Sequence, residues 1–93
     1  MRVVNCQKCG VSVPILNLTA EQEREIFDTA TRVSRMQAIL KLKEKTGVGL
    51  AEAKAVIYHL CDDGAKCHRC GQELLEDKKE IICTKCRSLN LRW

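Results

Sequence analysis

Cys67-His68-Arg69-Cys70-Gly71 and, with twelve residues between Cys70 and Cys83, Cys83-Thr84-Lys85-Cys86 decide how this 93-residue chain folds. Two cysteines three positions apart can place both sulfurs on one ion across a tight turn, and zinc takes four such ligands in a tetrahedron. Gly71 frees the backbone to turn its N–H groups toward those sulfurs. The loop between the two pairs is short, so closing it costs little entropy. Metal binding in sites of this kind supplies on the order of 10–16 kcal/mol, enough to order a segment with almost no apolar interior. A redox dithiol would need a thioredoxin-like strand–helix setting, which this stretch lacks. Residues 64–93 therefore read as a four-cysteine zinc ribbon, with a charged hairpin tip over 73–80 and Ile81-Ile82 as the strand into the last knuckle.

The rest of the chain needs that help. A chain of this size buries only roughly 60–65% of its unfolded surface. Its aromatic residues are Phe27, Tyr58 and Trp93 alone. Seven cysteines, an odd number, fit a secreted disulfide framework poorly. Met1-Arg2-Val3-Val4-Asn5 opens no apolar run of signal-peptide length, and no stretch approaches the roughly 20 apolar residues of a membrane span. The expectation is a cytoplasmic protein with reduced thiols and no membrane contact. The formal charge of +4 (16 basic less 12 acidic residues) falls to about +2 once four thiolates and one Zn2+ are counted. Charge alone therefore argues weakly for a nucleic-acid partner.

A second knuckle stands at the N-terminus. Cys6-Gln7-Lys8-Cys9-Gly10 lies between Val3, Val4 and Val11, Val13, Ile15, the outline of a zinc knuckle on a short hairpin over 1–17. Pro14 keeps this strand at an edge. Cys6 and Cys9 make half a site. Candidate partners are His59, Cys61 and His68, or the same pair in a second subunit. His59 and Cys61 can share an ion only if the helix before them ends by His59, because positions two apart on a helix face opposite ways. One zinc is expected, with a second if Cys6 and Cys9 are completed.

Between the knuckles, 18–63 reads as helical. Thr19 with Gln22 forms a capping box, and Glu21, Glu23 and Glu25 suit the positive end of the helix dipole. Ile26, Ala30, Val33, Met36 and Leu40 continue an apolar stripe, with Ile39 and Leu42 beside Met36 and Leu40. Thr29 and Thr31 are mediocre helix formers, which predicts a break at 28–31 and a new helix over 33–45. Thr46-Gly47-Val48-Gly49 ends it. A further helix follows over 50–60, with Leu50, Ala53, Ile57 and Leu60 on its apolar side. Asp62-Asp63-Gly64-Ala65 reads as a turn. The fold class is a small α+β zinc-binding protein: a helical hairpin flanked by an N-terminal zinc knuckle and a C-terminal four-cysteine zinc ribbon.

The run from Lys43 to Lys54, and Thr46-Gly47-Val48-Gly49-Leu50-Ala51-Glu52-Ala53-Lys54 in particular, resembles the helical hairpin in the C-terminal domain of the bacterial ribosomal stalk protein. The N-terminal helical module of elongation factor Ts has a similar glycine turn. The likeness covers roughly 33–60, and the order of knuckle, hairpin and ribbon is also similar to small bacterial proteins of uncharacterised role. In the stalk family this hairpin contacts translation GTPases. The resemblance implies a partner face of Arg35, Met36, Ile39, Lys43, Gly49, Leu50 and Lys54, and a ribosomal or translation-factor partner. One basic family position is Leu40 here.

The expected function is thus a non-enzymatic binding module. Four thiolates close a coordination sphere, whereas a catalytic zinc keeps a position open for water. Gly47-Val48-Gly49 is too short for a phosphate loop. The alternative is a nucleic-acid-binding ribbon, with Lys66, Arg69, Lys85, Arg87 and Arg92 on phosphates and Trp93 as a stacking face.

Overall fold

A computed structural model describes residues 2–61, 66–74 and 78–93. The turn expected at 62–65 and the central part of the expected hairpin tip, 75–77, lie outside the described residues.

Strand β1 (Arg2–Asn5) pairs antiparallel with β2 (Ser12–Ile15), Val4 opposite Val13. The first knuckle forms their turn. Helix α1 (Ala20–Arg32) starts with the expected capping box at Thr19. It runs through Thr29 and Thr31, whose hydroxyls are satisfied within the helix by the Glu25 and Phe27 carbonyls. The break comes later than expected, at Val33 and Ser34. Ser34 accepts from Gln37 N at 3.1 Å and caps α2 (Arg35–Thr46). Gly47, at φ 75°, supplies the left-handed residue that closes α2, and α3 (Leu50–Tyr58) begins after Gly49.

That displaced break resets the phase of the second helix. α2 buries Ala38, Ile39 and Leu42, not the stripe continued from α1. Val33, Met36 and Leu40 stand in solvent at 70%, 58% and 47% exposure. On α3, Ala53, Val56 and Ile57 face inward, whereas Leu50 is exposed. Lys41 and Lys45 of α2 reach Glu25 of α1 at 3.3 and 3.2 Å and clamp the two helices. Their N–H bonds and charges hold the Glu25 carboxyl below its usual range.

The ribbon hairpin pairs β3 (Glu80–Ile82) with β4 (Leu89–Leu91), Ile81 opposite Asn90. β4 is flanked on its other edge by the segment leaving α3. Leu91 N donates to His59 O at 2.7 Å, and Cys61 N donates to Leu91 O at 2.8 Å. Leu89 and Leu91 accordingly enter the main core, beside Val13 of the N-terminal hairpin and Ile26, Ile39, Leu42 and Ile57 of the helices. A smaller interior joins Cys61, Leu74 and Ile81 to Cys67 and Cys83. Ion pairs of Arg2 with Glu80 and of Lys79 with Glu23 tie the ribbon to β1 and α1.

Candidate metal centre

The three Cys-x-x-Cys turns share one backbone design. In each, the first cysteine's carbonyl accepts from the residue four positions on: Gly10 at 2.8 Å, Gly71 at 3.0 Å and Arg87 at 2.9 Å. Each first cysteine's N–H donates to the carbonyl five positions on, at 2.9 Å in all three turns. The residue after the second cysteine is left-handed, with φ of 76°, 79° and 68°. Glycine suits this at two turns; Arg87 takes it at the third against a preference of about 1–2 kcal/mol. Arg87→Gly is expected to raise stability by about 0.5–1 kcal/mol, after glycine's own entropy cost. The denaturation midpoint at saturating zinc measures it. A lower midpoint would mean that the arginine side chain contributes more than the strain costs.

Cys67, Cys70, Cys83 and Cys86 place their sulfurs within 4.8 Å of one another. Cys67 to Cys86 and Cys70 to Cys83 each measure 3.6 Å. A tetrahedron with Zn–S bonds of about 2.3 Å has edges of about 3.8 Å, so the set fits zinc. A disulfide, at about 2.05 Å, it does not resemble. Burial resists ionisation of Cys67, yet the Cys70 and Arg69 N–H groups, Asn90 and Cys86 bring its pKa down to about 6. The Cys86 N–H leads the groups that lower Cys83. Burial pushes Cys86 up to about 12, the thiols of Cys67, Cys70 and Cys83 adding to it. Such a cluster sheds its first protons easily and its last only when a cation balances the charge, which is what Zn2+ supplies.

The half site at the N-terminus gains a third member. Cys6, Cys9 and His59 bring one ligand atom each within 4.8 Å of the others. His59 Nε2 lies 3.4 Å from Cys9 Sγ, close to the roughly 3.5 Å expected between a nitrogen and a sulfur on one zinc. His59 Nδ1–H donates to the Ala55 carbonyl at 2.7 Å. A carbonyl only accepts, so this bond fixes the tautomer and leaves the Nε2 lone pair for a metal. Cys6 is buried, which opposes ionisation. The N–H groups of Leu89, Cys9 and Lys8 nonetheless hold its pKa at about 6. The Leu89 bond comes from the ribbon, at 3.4 Å, so the first knuckle is stitched to β4.

Cys61 does not join. α3 ends at Tyr58 with His59 as its cap, which meets the condition for sharing an ion. The bonds to Leu91 then pin 59–61 along β4, and Cys61 packs beside Cys67 and Cys83 in the smaller interior. His68 bonds Asn90 and stands edge-on to His59.

Of the positions implied by the hairpin resemblance, Arg35, Met36, Leu50 and Lys54 are exposed, Gly49 caps α3, and Lys43 is half-buried. Ile39 is buried at 1% exposure on the inner side of α2, so it is a core residue and not a contact. Lys66, Arg69, Lys85 and Arg87 are exposed. Arg92 is half-buried, and Trp93 packs against the main core, which curtails it as a stacking face. Arg35 stacks over the Tyr58 ring at 5.6 Å. A groove of about 750 Å³ opens there between α3 and the two knuckles. Arg35, Lys54 and Arg69 line it with Tyr58, and no carboxylate does among the described residues.

No protein-family model matches the chain, and neither a curated protein nor a solved structure matches it. No described helix is long and apolar enough to cross a membrane. What the residues themselves establish is a small α+β fold with two ligand clusters positioned for zinc, one of four cysteines and one of Cys6, Cys9 and His59.

Proposed function

We propose that this chain is a non-enzymatic binding module in which two zinc sites order the ends and the α2–α3 hairpin meets a protein partner. The observation that carries this reading is the outward face of the hairpin. Met36 and Leu50 expose more than half their surface, and Tyr58 nearly half. Arg35, Lys43 and Lys54 form no ion pair among the described residues. Apolar side chains rimmed by cations suit a partner surface that is apolar and acidic. The stalk-like glycine turn adds the expectation that this partner belongs to the translation machinery.

Capture from lysate tests it, using the zinc-loaded chain against Arg35→Glu plus Lys54→Glu. The native chain is expected to recover a ribosomal protein or translation factor, and the double variant to lose at least about tenfold of it while keeping its zinc. Equal recovery by both, or recovery of no such partner, would remove the proposal. The groove beside Arg69 gives the nucleic-acid reading one observation of its own, since three cations meet there, without a carboxylate among the described residues. Titration with single-stranded and duplex oligonucleotides at several salt concentrations decides it. Absence of binding at low salt ends that alternative.

A further inference from the structure

Structural zinc is almost always four-coordinate, and Cys6, Cys9 and His59 provide three ligands. We propose that His68 Nε2 is the fourth, which makes the second site a closed Cys2His2 centre bridging the N-terminal knuckle and the ribbon. The inference rests on the reading that Cys6, Cys9 and His59 hold zinc.

The tautomer of His68 comes first. Its backbone N–H and its ring Nδ1 both meet Asn90 Oδ1, at 2.9 and 2.7 Å. A backbone N–H can only donate, so the oxygen of the Asn90 amide must face His68, and Nδ1 must carry the proton. The same amide's Nδ2 donates to Cys67 Sγ at 3.5 Å and to Ser88 O at 3.2 Å, which agrees with that orientation. Nε2 then carries the lone pair, which accepts from the Ser88 hydroxyl at 3.4 Å. His59 is prepared in the same way by the Ala55 carbonyl. Each ring is oriented through Nδ1 by an acceptor of the fold, as in metal-ligating histidines.

Placement comes second. The His59 and His68 rings meet edge-on, with centroids 5.4 Å apart and planes at 67°. Two imidazoles bound through nitrogen to one tetrahedral zinc have centroids about 5 Å apart. His68 Nε2 lies 3.4 Å from Ser88 Oγ, and Ser88 Oγ lies 3.8 Å from Cys6 Sγ. One hydroxyl thus separates the lone pair from a ligand sulfur. His68 stands outside the three-residue set as placed. For Nε2 to reach the sulfurs the His68 ring must move past Ser88, whose hydroxyl it now meets.

Elimination comes third. Cys61, the other candidate among the described residues, packs in the smaller interior. Ser88 offers a neutral hydroxyl, which is outside zinc's usual ligand set. With His68 bound, consecutive residues Cys67 and His68 hold different ions, and Asn90 touches the ligand shell of both. The sphere also closes, which suits a structural rather than a catalytic metal.

The test is the imidazole nitrogen spectrum of the zinc-loaded full chain, labelled with nitrogen-15. Both histidines are expected to show protonated Nδ1 and metal-shifted Nε2. His68→Ala is expected to retain the four-cysteine zinc and to bind the second zinc at least about tenfold more weakly in competition with a chelator. A metal-shifted His59 beside an unshifted His68 would overturn the proposal and leave the three-residue site standing. If neither ring is shifted, the three-residue site falls as well.

Discussion

Cys83→Ser is expected to lose one zinc per chain and the ordered structure of the ribbon with it. Cys83 is fully buried, and the Cys86 and Lys85 N–H groups favour its thiolate. A serine hydroxyl would keep its proton at neutral pH and leave three sulfurs for the ion. The aliphatic residues of the ribbon's own small interior are Leu74 and Ile81. At about 1.5–3 kcal/mol each, they cannot replace binding energy on the order of 10–16 kcal/mol. The effect reaches further than the ribbon, because Leu89 and Leu91 belong to the main core and Leu91 bonds His59. Elemental analysis should find about two zinc ions in the native chain and about one in the variant, given the two ligand clusters. Amide exchange should show protection lost over 66–74 and 78–91. Two zinc ions and a protected ribbon in the variant would contradict the assignment of this site.

The second large effect separates two neighbours on α2. Ile39→Ala should cost about 2–4 kcal/mol, the usual range for truncating a fully buried aliphatic side chain. Leu40→Ala should change stability by less than about 0.5 kcal/mol, since Leu40 is half exposed and faces away from the core. For a small domain with about 5–15 kcal/mol in total, the first change removes a large share of the stability and the second is silent. Denaturant midpoints at saturating zinc compare the two. The reverse order would mean that α2 is rotated by one residue, with Leu40 inward. Ile39→Ala also separates core from contact: it should weaken partner capture only as far as it unfolds the chain.

The zinc ribbon, the capping box at Thr19 and the glycine turn were legible in the residues because each depends on neighbours within a few positions. A Cys-x-x-Cys turn sets its own hydrogen bonds, and the left-handed residue follows directly behind it. The phase of α2 was misread for a reason that the residues also contain. Ser34 stands three positions before Gln37, the same spacing as Thr19 and Gln22, and it caps a new helix where the apolar stripe had been carried straight through.

Local spacing therefore determined that paired cysteines are placed to hold a metal ion and that a helical hairpin lies between them. Tertiary structure decided which residues complete the N-terminal site. His59 reaches Cys9 because α3 ends at Tyr58, just before it, and Cys61 is turned away because Leu91, thirty residues along, takes its backbone bond. A ligand set assembled across such distances is fixed by how helices and strands dock, and docking leaves no pattern in the spacing of the ligands themselves.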